Sequence, residues 1–195
     1  MGKEAHVNAR FPDGDDDGKL LWEQPRLIFR GATRRVFEGE GLKAVRAEGG
    51  DLVIGDARFD LGQPQAAKWA EAINNPPSRL DKLGVKPGQR VAVVNLPDLE
   101  FAAELSTRAS PTTELADLDI LFYGADDADE LTSIIGLVPA LAERGALWVV
   151  SRKGKAATVK DVEVMAAARA HGLVDNKVCG FSGSHTALRF TLRRS

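Results

Sequence analysis

Short β-prone runs punctuated by glycine occupy the first third of the chain: LLW at 20–22, RLIFR at 26–30, RRVFE at 34–38, LKAVRAE at 42–48, DLVIG at 51–55 and ARFDL at 57–61. The alternation of Leu27 with Phe29, and of Leu42 with Ala44 or Val45, predicts half-buried antiparallel strands, with Gly49-Gly50 as a hairpin turn. The period then changes. In PQAAKWAEAI at 64–73, Ala66, Trp69, Ala70 and Ile73 share one helical face and Pro64 suits the first turn, before Asn74-Asn75-Pro76-Pro77 ends the pattern. Residues 19–75 are therefore expected to form a small antiparallel β domain with a C-terminal helix, followed by a linker at 76–80. Upstream, residues 1–18 hold few large apolar side chains and run into PDGDDDGK, which predicts a disordered acidic tail.

From about Ser78 strand and helix alternate. Arg90 to Asn95 and Leu118 to Tyr123 are near-continuous apolar runs, as expected of parallel strands buried on both faces. Between them Leu99 to Arg108 reads as a short helix with Phe101, Ala102 and Leu105 inward. Asp126 or Asp127 is placed to cap a helix carrying Leu131, Ile134, Ile135, Val138 and Leu141, kinked or restarted at Pro139. Gly145 leads into a strand at Ala146 to Val150, and Thr158-x-x-Asp161 is spaced to cap a further helix ending near Gly172. The runs at 173–181 and 186–194, joined through Ser182-Gly183-Ser184-His185, predict an antiparallel pair closing the sheet. Residues 81–195 are thus expected to be an α/β domain of Rossmann-like class with a reduced sheet and a C-terminal antiparallel hairpin.

Composition excludes more than it selects. The 195 residues, 44% hydrophobic and 28% charged, suffice for a sizeable core. A formal charge of −2, with neither half strongly basic, argues against nucleic acid and anionic membrane as partners. The single cysteine, Cys179, sits in the apolar run Val178 to Phe181 and is expected in the core; it permits neither an intramolecular disulfide nor a cysteine-rich metal site. MGKEAHVNARF lacks an apolar stretch of signal-peptide length and no run approaches the roughly 20 apolar residues of a membrane span, so a cytoplasmic location is expected. Trp22, Trp69 and Trp148 fall in predicted elements and read as core residues. Asp13, Asp15, Asp17 and Gly18 match the opening of a calcium-binding EF-hand loop. The match fails at the far end, where Gln24 replaces the bidentate carboxylate, Glu23 comes one place early and no amphipathic helix precedes Pro12; a solvated acidic run is the better reading.

The pieces KLGVKPGQRVAV, GALWVVSRKGK and GLVDNKVCGF, in an order of strand, helix, LDILFYG, helix, strand, helix and closing hairpin, resemble the S-adenosylmethionine-dependent methyltransferase fold. In particular they are similar to a family of short bacterial domains of unknown function built as a reduced version of that sheet. The resemblance covers about residues 79–195 and implies a cofactor seat after the first strand. VAVVNLPDLE at 91–100 departs from it: Asn95, Leu96, Pro97 and Asp98 stand where a Gly-rich loop would let backbone amides approach a phosphate or nucleoside. Too few residues separate Arg108 from Leu118 for the second and third strands of the full fold, and with them goes the acidic residue that would hold the ribose hydroxyls. Each unmet buried polar group costs about 1–3 kcal/mol, so no cofactor is expected and S-adenosylmethionine is disfavoured. The smaller sheet with its helix resembles pleckstrin-homology or GRAM-like barrels in abbreviated form.

Ligands of open α/β sheets bind beyond the strand carboxyl ends. The candidate ligand-binding residues are accordingly Asn95, Asp98, Tyr123, Arg152, Lys153 and Lys155, with Asp126 and Asp127 as helix caps nearby. Arg152, Lys153 and Lys155 surround Gly154 ahead of a helix, a setting for an anion or for a solvated loop balancing the aspartates. His185 beside Ser184 and Ser182 has neither a nucleophile elbow nor an orienting carboxylate placed by sequence, and reads as a turn histidine. His6 lies in the tail and His171 at a helix end, so neither catalytic nor metal-binding residues are expected. A non-catalytic binding or interaction protein, with a protein partner or a small anionic ligand, is the leading reading. The alternatives are a divergent S-adenosylmethionine- or nucleotide-binding enzyme, and recruitment of a peptide or lipid headgroup by the β domain through Arg30, Arg34 and Arg35.

Overall fold

Seven strands make the first sheet of the computed structural model, which describes residues 2–193. They are β1 (Lys3–Phe11), β2 (Gly14–Glu23), β3 (Arg26–Arg30), β4 (Arg34–Phe37), β5 (Arg46–Glu48), β6 (Asp51–Ile54) and β7 (Ala57–Asp60), followed by helix α1 (Gln63–Asn74). All neighbours are antiparallel, in the order β4-β3-β2-β1-β7-β6-β5. This sheet and α1 form one compact unit, residues 1–77. Its core is aromatic: Phe11 meets Phe29 and Phe59 edge-on with ring centroids 5.3 and 5.7 Å apart, and Phe37 packs on Phe59 at 5.8 Å. Helix α1 adds Trp69, Ala70 and Ile73, on the face its periodicity predicts.

The expected disordered tail is instead the hairpin β1–β2. Val7, Ala9 and Phe11 alternate inward while His6, Asn8 and Arg10 face water, so a few small and medium apolar groups at period two suffice to bury one face. The acidic residues lie outward or are paired: the Asp16 carboxylate accepts from the Ala32 and Thr33 amides at 3.1 and 3.2 Å, and Asp13 accepts from Arg35 at 2.7 Å. Gly18 has a packing role, since a Cβ there would run into the Arg30 carbonyl of β3. Downstream, the strand expected from Leu42 begins only at Arg46, because residues 39–42 form a 3-10 turn.

The second unit, residues 78–195, contains α2 (Arg79–Leu83), β8 (Val91–Val94), α3 (Leu99–Ser106), β9 (Leu118–Gly124), α4 (Ala128–Thr132), α5 (Ile134–Leu137), β10 (Leu141–Arg152), α6 (Asp161–Ala170), β11 (Leu173–Gly180) and β12 (His185–Leu192). The sheet order is β11-β12-β10-β9-β8, parallel from β8 to β10, with β12 antiparallel between β10 and β11. Both faces are covered. Leu121, Tyr123, Leu147 and Val149 pack with Leu131, Ile134 and Val164, whereas Ile120, Phe122, Trp148 and Val150 pack with Leu80, Leu83, Phe101 and Leu105. Two-sided burial is the reason β9 and the 146–150 stretch of β10 are almost wholly apolar. No helix among the described residues is long and apolar enough to cross a membrane.

Several expectations need correcting. Ala102 is exposed, because the short α3 turns only Phe101 and Leu105 inward. Ile135 is exposed and Leu137 and Ala140 are buried in its place; the helical stretch ends in a 3-10 turn at Pro139, and Leu141 already pairs with Leu118 of β9. Thr158 does not cap α6: its hydroxyl donates to the Asp126 carbonyl, and Lys160 occupies the N-cap with its amide donating to Glu163 at 2.7 Å. Cys179 is half-buried, with its thiol pKa pushed up by desolvation. The residues expected as a linker run into α2. Ser78 caps it by accepting from the Asp81 amide at 3.1 Å, Asp81 accepts from the Ser78 amide at 2.9 Å, and Gly84 closes the helix at φ 77°.

Hydrogen bonds from the Ser78 hydroxyl, the Arg108 guanidinium and the Ser78 amide hold the Asp81 carboxyl at about 2, below its ordinary 3.8. A depressed folded-state pKa stabilises above the unfolded value and ceases to do so as pH falls through the folded one. Asp81→Asn is therefore expected to unfold more easily than wild type near neutral pH, and the two midpoints should converge as the pH approaches about 2; urea titrations across that range measure it.

Candidate functional site at the strand carboxyl ends

Because β8, β9 and β10 are parallel, their carboxyl ends deliver Asn95, the segment Gly124 to Asp127, and Arg152 to the same edge of the sheet. Asn95 sits at φ 52°, in the left-handed region where asparagine is among the better tolerated side-chain-bearing residues. Its carbonyl oxygen lies where a Cβ on residue 124 would be, so Gly124 is what allows the β8–α3 turn to close onto β9. The Asn95 side chain completes the contact, donating through Nδ2 to the Gly124 carbonyl at 2.9 Å and to Glu130 Oε1 at 2.6 Å.

Glu130 is the hub. Its Oε2 accepts from the Asp126 amide at 2.5 Å, its amide donates to the Asp127 cap at 2.8 Å, and its carbonyl accepts from the Tyr123 hydroxyl at 2.9 Å. Tyr123 is buried and its pKa is raised, chiefly by desolvation. Asp126 binds Arg152 twice, at its backbone amide (2.9 Å) and at Nε (3.0 Å). The structure thus gathers Asn95 and Tyr123 around Glu130 and attaches Arg152 through Asp126. It does not bring in the other candidates. Asp98 caps α3 from the Phe101 amide at 2.8 Å, Lys153 Nζ reaches the Ser182 carbonyl at 2.8 Å, and Lys155 is exposed in a 3-10 turn. The cations expected together at 152–155 are therefore separated, Arg152 on Asp126, Lys153 on the Ser182 carbonyl and Lys155 exposed in the 3-10 turn, and α6 begins only at Asp161.

Sequence reasoning missed Glu130, although Asp127-x-x-Glu130 has capping-box spacing and could have flagged it. His185 Nδ1 lies 2.9 Å from Ser184 Oγ and 3.4 Å from Ser182 Oγ, and no described carboxylate forms an ion pair with the ring. No group of three or more His, Cys, Asp or Glu among the described residues is placed to hold a metal ion. The cofactor that the resemblance implies does not fit this edge as built: the turn after β8 is closed by the Asn95–Gly124 contact, and its carboxamide is engaged by Glu130.

Solved structures similar to this chain include methyltransferases of low identity. One is a TehB-like SAM-dependent methyltransferase from Corynebacterium glutamicum, with 12% identity, covering 67% of this chain and 97% of that one at a TM-score of 0.41. The fibrillarin pre-rRNA processing protein of Methanococcus jannaschii is also similar, with 11% identity, 98% and 97% coverage and a TM-score of 0.40. A SAM-dependent O-methyltransferase from Thermotoga maritima gives 10% identity, 97% and 94% coverage and a TM-score of 0.40. At the level of sequence, residues 100–194 match a family described as protein of unknown function (DUF3052). No curated protein matches.

Two substitutions test how this edge is held. Gly124→Ala forces a methyl group into the Asn95 backbone, and overpacking of that kind costs about 1–3 kcal/mol. Glu130→Ala leaves the Asp126 amide without its acceptor and the Asn95 carboxamide with only the Gly124 carbonyl, an expected loss of about 1–3 kcal/mol for hydrogen bonds to a charged group. Equilibrium unfolding of both variants measures these losses, and their double variant should be less than additive, because both act on the Asn95 turn.

Proposed function

We propose that this chain is a non-catalytic binding or interaction protein, in which a methyltransferase-like sheet serves as a scaffold. The observation that carries this reading is the occupation of the strand carboxyl ends by the chain's own groups: the Asn95 carbonyl against Gly124, and Glu130 bound to Asn95 and the Asp126 amide. An S-adenosyl group needs free backbone amides and acceptors for its ribose hydroxyls at such an edge. Here the Asn95 carboxamide and the Asp126 amide are already paired with Glu130, so binding through them would first have to break those bonds. Each hydrogen bond to a charged group that is lost costs about 1.5–3 kcal/mol, roughly tenfold to a hundredfold in affinity.

The seven-stranded antiparallel unit with its C-terminal helix supports a likeness to pleckstrin-homology or GRAM barrels, now with the β1–β2 hairpin included. Headgroup recruitment through Arg30, Arg34 and Arg35 has less support. The Ala32 and Thr33 amides of that turn already donate to Asp16, and Arg35 is paired with Asp13 and lies 4.1 Å over the Phe11 ring.

Thermal unfolding with S-adenosylmethionine and S-adenosylhomocysteine tests the proposal. A ligand at a hundred times its dissociation constant stabilises by about 2.7 kcal/mol. No shift is expected at millimolar concentrations of either compound. A saturable shift that Asn95→Trp abolishes would establish a divergent cofactor site instead and overturn the reading.

A further inference from the structure

On the face of the second sheet that carries Trp148, residues of β10, β11, β12 and α2 line a surface distinct from the carboxyl-end edge. Two cavities of about 350 and 530 Å³ adjoin there and share Arg189 and Asn176 in their linings. Arg144 and Arg193 line one cavity, and Lys82 and Lys177 the other; Glu143 is the one carboxylate among the described lining residues.

Arg189 is the group that needs an explanation. It is half-buried, and desolvation depresses its guanidinium pKa. Its hydrogen bond from Nη1 goes to the Asn176 carboxamide oxygen at 2.9 Å, and the amide of Asn176 is in turn fixed on Thr191 Oγ1 at 3.0 Å. No described carboxylate forms an ion pair with it, whereas Arg79, Arg90, Arg108, Arg152 and Arg169 of the same unit all have one. In register, Arg189 lies opposite Lys177 of β11 on one side and Trp148 of β10 on the other. Like charges directly opposite on adjacent strands destabilise a sheet, and a partly buried cation without a counter-charge adds to that cost. A guanidinium held in a fixed orientation, with unused N–H donors facing a basic groove, is the arrangement that binds oxyanions in bidentate fashion.

We infer that this groove is a binding site for a ligand carrying two or more linked phosphates, with Arg189 at its centre and Arg144 and Lys177 on either side. The spread of cations over two adjoining cavities suits a chain of phosphates better than a single one. Free polyphosphates and nucleotides share this chemistry, and the experiment separates them.

Calorimetric titration with inorganic pyrophosphate, tripolyphosphate and ADP at low ionic strength is the test. Saturable binding is expected, weakening as salt is added, with Arg189→Met reducing affinity roughly tenfold or more, as loss of a bidentate charge-assisted contact does. Binding of ADP no tighter than pyrophosphate assigns recognition to the phosphates alone, whereas tighter ADP adds a nucleoside contact; both support the site. Arg189→Met removes an uncompensated charge and keeps the apolar stem, so the ligand-free variant is expected to melt no lower than wild type. Should that variant fail to fold, the double variant Arg144→Gln with Lys177→Gln carries the same test. No binding of any of the three ligands at millimolar concentration overturns the inference. So does binding that survives Arg189→Met and is lost instead with Lys153→Gln and Lys155→Gln.

Discussion

Burying β9 and β10 on both faces constrains everything around them in the second unit. Such strands can bring no polar side chains into their middle, and the groups at their ends must find partners within the chain. At the carboxyl ends the solution is local: Gly124 admits the Asn95 carbonyl, Asn95 turns in the left-handed region, and Glu130 takes up the amides that remain. In the reading proposed above, the same network that stabilises the edge takes up the groups a ligand would need. A stable scaffold and an open cofactor seat are competing uses of one set of hydrogen-bonding groups.

The cations of this unit show the two ways a charge can be held. Arg152 is tied to Asp126, and Arg79 lies 2.6 Å from Glu104 with its guanidinium 5.3 and 5.2 Å from the Phe101 and Phe181 rings. These side chains brace elements against one another, and their charges are spent internally. Arg189, with an amide oxygen as its partner and Lys177 opposite, is held in place without being neutralised. In the first unit the acidic residues are used in the former way: Asp16 satisfies a turn and Asp13 anchors Arg35, so a run that resembles a metal loop in sequence serves a hairpin.

Much of the fold was legible, and of the carboxyl-end site Asn95, Tyr123 and Arg152 were, but not the hub Glu130 that joins them. Periodicity located β3, β4, β6, β7, α1 and the strands of the second sheet, because each buries a face whose spacing is set by backbone geometry alone. It failed where apolar groups were few or small, as in β1, and where an element was a single turn, as in α2. Two capping-box patterns illustrate the limit. Ser78-x-x-Asp81 is a true cap, whereas Thr158-x-x-Asp161 has the same spacing but Thr158 is drawn away by the Asp126 carbonyl, 32 residues distant in sequence.

The sequence by itself determined the two-part organisation of secondary structure, the inward faces of the long elements and the absence of glycine after β8, since these depend on residue type and local spacing. Only the tertiary structure decided which polar groups meet. Glu130 became the hub of the carboxyl-end network, and Arg189 was left beside Lys177, through strand register and the direction of turns; a side chain's partner across a sheet is set by the pairing of distant segments, which no local pattern encodes.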